Sequence, residues 1–252
     1  MASIRINRSK EKLKAGGVVT TISGWASSDM IDFLGPMGFD AVWLETEHGP
    51  VTWDQLGDMT RACDLWGVTP ITRVTSNEPW LITRTLDRGS MGIVVPHVNN
   101  KEAAEKAARS AKYAPLGYRG MYGGRQSFGV ADYFQQANVQ TMVVVLLEEA
   151  EALANLDEIL RVEDIDVFFV APSDLAQTMG HIGNPGHPEV QRAIDDAISR
   201  IAAAGRVPGT LVNDQNISEY IGKGVRFVMT SWNAWVARGA GGFIAKVNEA
   251  GR

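Results

Sequence analysis

Two acids in this chain stand where apolar runs stop. The run "MVVVLLE" ends on Glu148, and "DVFFVAPSDLA" delivers Asp174 shortly after its own apolar stretch. A third stretch, "AVWLETEHGP", ends on Glu45, Glu47 and His48, and "TPITRV" carries Arg73 inside an apolar run. Carboxylates gathered in a concave site are costly unless a cation neutralises them. Oxygen ligands alone favour Mg²⁺ or Mn²⁺ over zinc, which prefers His and Cys. Glu148 and Asp174 are the candidate pair for one such ion. Two carboxylates leave coordination positions for water and substrate, as a catalytic site requires. Each acid has a plainer reading as a helix N-cap or first-turn residue that complements the helix dipole.

The remaining polar residues sort by context. His48 fits a general base, a metal ligand or a surface-loop histidine. Arg73 in an apolar strand needs an anionic partner, which a substrate oxyanion supplies. His97, in "VVPHV", reads as a packed strand residue, and His181 and His187, in "GHIGNPGHPEV", as loop and helix start. Trp25 and Trp232 either line the site or pack in the core. The lysines fall at the N-terminus, on predicted helices, or at Lys223. None occupies the tip of a predicted strand, where a Schiff-base lysine is expected in a barrel aldolase. No G-x-S-x-G or P-loop is present.

The elements that must position these residues follow from periodicity. Strands are predicted at Val18–Ser23, Ala41–Glu45, Thr69–Val74, Gly92–Val98, Met142–Glu148, Asp166–Ala171, Val207–Val212 and Val225–Thr230. Several are apolar throughout, as parallel strands covered on both faces should be. Helical patterns lie between them. "VTWDQLGDMTRACDLWG" ends on Gly, "NNKEAAEKAARSAKYA" is rich in helix formers, and "HPEVQRAIDDAISRIAAAG" opens with Pro and closes with Gly. Eight such alternations predict a single α/β domain over residues 1–252, a (β/α)₈ barrel. An open doubly wound sheet uses the same units, but the first turn, "SGWASSD", lacks G-x-G-x-x-G. In a barrel the chemistry sits at the C-terminal strand ends. That places Glu45, Glu47, His48, Arg73, His97, Glu148, Ser173, Asp174, Asn213, Ser231, Trp232 and Asn233 at one mouth. Asp40, Asp166 and Arg226 read as solvated strand starts. "YAPLGYRGMYGGRQSFGVADYF" is a long Gly-rich stretch without clear periodicity, of the kind that is functional or mobile. The last helix, "WNAWVARGAGGFIAKVNEAG", has apolar positions beyond what a lone helix needs, which suits subunit contact.

Composition narrows the class. The chain has 252 residues, 45% hydrophobic and 21% charged, and a formal net charge of −5. Without a basic block, nucleic acid is not an expected partner. A single cysteine, Cys63, fits a reducing compartment. The N-terminus lacks the apolar core of a signal peptide, and no run is long enough for a bilayer, so no membrane partner and a cytoplasmic location are expected.

The segments "GFDAVWLETEHGP", "PITRV", "LDRG", "YAPLGYRG", "FFVAPSDLAQTMG" and "GNPGHPEV" resemble, in order and spacing, the metal-dependent (class II) pyruvate aldolases of the HpcH/HpaI family. The resemblance runs from about Leu13 to the last helix. It implies a divalent metal (Mg²⁺, Mn²⁺ or Co²⁺) on Glu148 and Asp174, with backbone amides near Ser173 and Asp174 on the pyruvate carboxylate. Arg73 then meets the keto, later enolate, oxygen. His48 is associated with proton transfer, with Asp87 as its dyad partner. Glu45 lies near the aldehyde side and can act across a subunit boundary. The resemblance further implies a swapped last helix and a homohexamer built as a trimer of dimers. The substrates implied are a small 2-oxo acid (pyruvate or hydroxypyruvate) and an aldehyde.

The chain departs from the pattern in four places. Leu146 replaces a common Gln, and Glu45 stands where Asp is usual. Trp232-Asn233 stands where an Asp is usual after strand 8. The Gly-rich loop is shortened, with Arg125 expected free to meet a substrate acid group. Two other functions are weighed: a CoA-ester lyase of the citramalyl- or malyl-CoA type, and a non-catalytic barrel that binds a metal–oxoacid complex. No basic pocket for CoA phosphates is evident, and His48, Arg73, Glu148 and Asp174 together favour catalysis.

Overall fold

The computed structural model describes residues 2–24 and 26–251. The strands are β1 Val19–Ser23, β2 Ala41–Glu45, β3 Thr69–Arg73, β4 Gly92–Val95, β5 Met142–Leu147, β6 Val167–Val170, β7 Pro208–Leu211 and β8 Phe227–Ser231. Each pairs in parallel with the next, and β8 pairs with β1, which closes the barrel. All eight fall on the predicted runs. The largest shift is in β4, which stops at Val95 rather than Val98. Pro96 has no N–H to give the ladder, and His97 turns left-handed at φ 53°.

The outer ring is longer in helices than the sequence pattern indicates. It comprises α1 Arg8–Lys14, α2 Ser28–Leu34, α3 Trp53–Trp66, α4 Pro79–Asp87, α5 Lys101–Ala111 and α6 Tyr133–Gln140. Then come α7 Ala150–Ala154, α8 Leu156–Ile159, α9 Pro172–Thr178, α10 Pro188–Ala203, α11 Ile217–Gly222 and α12 Trp232–Ala250. Helices α3, α5, α10 and α12 cover the four helical patterns. Most of the others are seven residues or fewer, too short for a periodic signal to emerge. Cys63 is buried on α3. No helix among the described residues is long and apolar enough to cross a membrane.

Strand parity sets what points inward. On β5, Met142, Val144 and Leu146 join an interior cluster with Trp43, Ile71, Phe169 and Phe227. Val143, Val145 and Leu147 face the helices. Successive side chains alternate, so Trp43 and Ile71 inside predict Glu45 and Arg73 inside as well. Leu146 inside predicts the same for Glu148. This one rule brings the three charged side chains to the axis at the C-terminal mouth.

The N-terminal end is plugged by α1. Asn7 caps the helix and donates to the carbonyls of Met91 and Gln140 at 3.1 and 3.0 Å. Leu13 enters the interior cluster. Asp40 and Asp166 are therefore more than solvated strand starts. Asp40 accepts from the Thr20 N–H and from Lys12, and Asp166 accepts from the Val143 N–H and from Lys10. Lys10 and the buried Lys112 both donate to the Thr141 carbonyl at 2.8 Å. Burial, then the Lys10 charge, lowers the Lys112 pKa to about 7. The unfolded chain thus holds one more proton than the folded one between pH 7 and the ordinary lysine range, so this group's contribution to stability rises with pH across that window. The urea midpoint of the wild type, measured against Lys112→Met from pH 6.5 to 9.5, should gain on the variant as pH rises above 7. A constant difference between the two would remove this account of Lys112.

Candidate active site at the barrel mouth

Glu45 and Arg73 are register partners on β2 and β3. Arg73 Nε donates to Glu45 Oε2 at 2.7 Å, and its Nη1 reaches Glu47 Oε2 at 3.0 Å. The Trp43 indole N–H also reaches Glu45 Oε2, at 3.2 Å. The other oxygen, Oε1, accepts the backbone N–H groups of Glu47 and His48 at 2.8 and 3.1 Å. Four donors thus fill one carboxylate. The turn that follows closes tightly, and a Cβ at Gly49 would come within 2.7 Å of the Glu45 carbonyl oxygen. Within this chain Glu45 organises the mouth. It holds Arg73 in place and fixes the turn that presents His48.

His48 is exposed, its side chain 68% accessible, with Nε2 3.7 Å from Glu47 Oε2. That exposure suits proton exchange with a bound molecule or with water. It gives His48 no buried partner to fix its tautomer.

Glu148 follows the last residue of β5 and is 1% exposed. Its Oε1 accepts the His97 backbone N–H at 2.8 Å. Burial pushes its pKa up. The His97 N–H, the His97 ring and Arg73 pull it down, and the Asp174 charge pushes it up again. Buried Glu148 after β5 thus feels the charge of Asp174, which stands beyond the neighbouring strand β6. Asp174 lies in the first turn of α9, after Pro172 at the helix start, and is half-buried. It is at once a first-turn acid and a neighbour of Glu148, so the plainer reading and the metal reading coexist at this position. Ser173 beside it is exposed. The donor set is all oxygen. Arg73 pairs with Glu45 and Glu47, while Glu148 has Asp174 as a neighbouring charge and Glu149 pairs with His97, so carboxylates outnumber the one guanidinium described among them. An excess of negative charge in a partly dry cleft is the environment that a hard divalent cation relieves, so the residues fit the ion.

His97, read from sequence as packed in a strand, is instead part of the site. Its Nδ1 lies 2.8 Å from Glu149 Oε1 and its Nε2 3.7 Å from Glu47 Oε1. Partial burial lowers its pKa, but the Glu149 bond and the Glu148 and Glu47 charges outweigh this and raise it. His97 borders a cleft of ≈ 490 Å³ that also contacts Glu47, Asn77, Glu78 and Lys106. The signal was Pro96. A proline within an apparently central strand argues that the strand has already ended.

Two expected site residues are elsewhere. Asp87 is the last residue of α4, which starts near the mouth and runs back toward the other end of the barrel. Nine helical residues span about 13 Å. Asp87 pairs with buried Arg119 at 2.7 Å, and within this chain it makes no dyad with His48. Arg125 lies in the 3-10 turn Gly124–Ser127 of the Gly-rich stretch. That stretch follows α5, not β4 directly, so it lies on the N-terminal face. Arg125 meets Asp64 at 2.6 Å and Thr60 at 3.1 Å, and Asp64 also pairs with Arg5. The guanidinium is neutralised on the wall of α3 and is not free for a substrate acid. The stretch itself is pinned, with Arg119 and Tyr118 bonded to the carbonyls of Lys112 and Arg109.

The other mouth candidates play structural parts. Asn213 Oδ1 closes a turn by accepting from Gln215 and Asn216. Ser231 caps α12 through the Asn233 N–H. Trp232 packs beside an outer core cluster, where a Cβ on Gly24 would strike its ring. Trp25 lies outside the described residues. His181 and His187, on the loop before α10, cluster with Glu189 of its first turn. Their imidazoles stack at 3.6 Å with 15° between planes, and His181 Nε2 lies 3.0 Å from Glu189 Oε2. His187 caps α10, as its plain reading held.

The molecule is thus a (β/α)₈ barrel with Glu45, Glu47, Arg73, His97 and Glu148 brought together at the C-terminal mouth. The model of the HpcH/HpaI aldolase/citrate lyase family matches residues 23–237. A 2-dehydro-3,6-dideoxy-6-sulfogluconate aldolase from Pseudomonas putida is 37% identical over 233 residues, 89% of this chain and 87% of the relative. A 4-hydroxy-2-oxo-heptane-1,7-dioate aldolase from Klebsiella pneumoniae subsp. pneumoniae is 38% identical over 247 residues, 95% of this chain and 93% of the relative. The crystal structure of a family protein from Burkholderia cenocepacia J2315 aligns with TM-score 0.90 and 28% identity, covering 96% of this chain and 99% of that one. The chain belongs to the HpcH/HpaI aldolase/citrate lyase family, and so to the aldolase-type carbon–carbon lyases.

If Glu45 organises the mouth, truncating it strands Arg73 and two turn amides together. Hydrogen bonds to charged groups contribute roughly 1.5–3 kcal/mol. Glu45→Ala should therefore lower unfolding free energy by about 2–3 kcal/mol, and Glu47→Ala by less. Urea titrations that rank the two the other way would move the organising role to Glu47.

Proposed function

We propose that the protein is a divalent-metal-dependent aldolase that reversibly cleaves a 4-hydroxy-2-oxo acid to pyruvate, or hydroxypyruvate, and an aldehyde. The observation that carries this reading is the all-oxygen pair at the mouth: Glu148 is buried just after β5 with one oxygen held by the His97 N–H, and half-buried Asp174, in the first turn of α9, bears on it as a like charge. Glu148 and Asp174 would hold Mg²⁺, Mn²⁺ or Co²⁺. When bound, the ion supplies Lewis-acid polarisation of the 2-oxo group and a counter-charge for the enolate.

The chain's own groups do the rest. Arg73 uses Nε and Nη1 on Glu45 and Glu47, which leaves Nη2 without a protein acceptor among the described residues. That N–H group is available to the keto oxygen and strengthens its hold as negative charge grows there. The α9 amides at Ser173 and Asp174, which lack helical acceptors, face the substrate carboxylate. In cleavage the C4 hydroxyl loses its proton to His48, the C3–C4 bond breaks, and its electron pair moves into the enolate. The aldehyde leaves, and C3 then takes up a proton to give the 2-oxo acid. No lysine enters this scheme. Lys106, at the edge of the cleft, is paired with Glu78 at 2.8 Å.

The implied homo-oligomer has its own support. Helix α12 packs on its own barrel only in part, through Trp232 and Trp235 near its start, and Val236, Phe243, Ile244 and Val247 are exposed on it. This suits the exchanged last helix and the hexamer that the family resemblance implies. Light scattering should give a mass several times that of one chain, and Phe243→Asp should reduce it. An unchanged mass for the variant would argue that α12 is not in the contact.

Purified protein should release pyruvate from a 4-hydroxy-2-oxo acid with added Mg²⁺, Mn²⁺ or Co²⁺ and stop in EDTA. Glu148→Ala and Asp174→Ala should each lower the rate on the order of 10³-fold, and Arg73→Ala should mainly slow exchange of the pyruvate methyl protons. Borohydride added with pyruvate should leave no covalent adduct. Trapping of an adduct, or full activity in chelator, would falsify the metal-enolate reading.

A further inference from the structure

Only His97 and Asp164 take positive φ among the described non-glycine residues, and Asp164 lies in the turn before β6, at the other end of the barrel. A Cβ disfavours this region strongly. An observed outlier at a site asks what the conformation achieves. Here the chain leaves the β4–β5 ladder at Pro96 and His97 and rejoins it at once, where the Val98 N–H reaches the Leu146 carbonyl at 3.3 Å. The excursion turns the His97 N–H onto Glu148 Oε1 at 2.8 Å. Among the described residues no donor reaches Oε2, which leaves that oxygen for a ligand. The imidazole has lesser anchors. It is 55% exposed and bonded to Glu149, whose side chain is itself 27% exposed.

We infer that His97 is a positioning residue whose left-handed backbone, rather than its ring, presets the Glu148 carboxylate for a divalent cation. The inference rests on Glu148 being a metal ligand, as proposed above. A residue that cannot hold this turn lets the segment relax, its N–H swings away, and the ion must then order Glu148 as it binds. Residues that tolerate the left-handed region keep the donor in place whether or not they carry an imidazole. Gly and Asn are such residues, and β-branched Val is not.

Mn²⁺ affinity of the metal-free full-length protein, measured by calorimetry, reads this without turnover. His97→Gly and His97→Asn should bind within about threefold of the wild type. His97→Val should bind about tenfold more weakly, equivalent to ~1.4 kcal/mol. His97→Ala should fall between them and serves in place of Val if circular dichroism shows that Val misfolds. Glu148→Ala is the control. If it keeps wild-type affinity, the metal-ligand reading itself fails. If it loses binding while the β-branched variant, or Ala in its place, binds as tightly as wild type, the positioning role is overturned. A fall in the Gly variant as large as in Val or Ala would also overturn it, because the ring would then carry the effect.

Discussion

The mouth depends on one saturated carboxylate. Glu45 stands beside Arg73 in register, and parity turns both toward the barrel axis. A guanidinium held there without a counter-charge would be expensive. Glu45 supplies that charge and also takes the Trp43 indole and two turn amides. The same four contacts fix the direction of Arg73, the start of the turn bearing Glu47 and His48, and the upper layer of the interior. The extra methylene of Glu over Asp extends the carboxylate above Trp43, where it meets strand and turn donors together.

Electrostatics then build outward from that pair. With Arg73 shared by Glu45 and Glu47, no positive charge remains in surplus to offset Glu148 and Asp174. Burial and like charge both oppose ionisation of Glu148, while the His97 N–H favours it. A divalent cation, as proposed, would relieve that balance. Within the chain, hydrogen bonds from Arg73, Trp43 and backbone N–H groups hold Glu45 and Glu148 above a floor made by the apolar layer of Trp43, Leu146 and Phe169. Leu146 offers no hydrogen bond, so polarity at this mouth comes from residues above the floor.

The two ends of the barrel divide the labour. The C-terminal mouth gathers the titratable groups of the proposed chemistry. The N-terminal face is closed by α1 through Asn7, Lys10 and Leu13, and the Gly-rich stretch is pinned there by Arg119 on Asp87. Polar residues on that face satisfy one another, as Asp64 does for Arg5 and Arg125. A charged residue near a strand in sequence is thus not near its tip in space when a helix intervenes.

The sequence by itself determined the eight strands, the barrel and the place of Glu45, Arg73 and Glu148 at C-terminal strand ends. These follow from local rules: apolar runs of strand length alternating with helical patterns, and the placement of chemistry at C-terminal strand ends; the inward parity came from packing. Tertiary structure decided the rest. Whether Asp87 meets His48 depends on which end of a nine-residue helix each occupies. Whether Arg125 is free depends on Asp64, 61 positions earlier in the chain. The role of His97 depends on a single left-handed turn that aims a backbone donor at a side chain 51 residues away. Such pairings across the chain are set by packing, and periodicity carries no record of them.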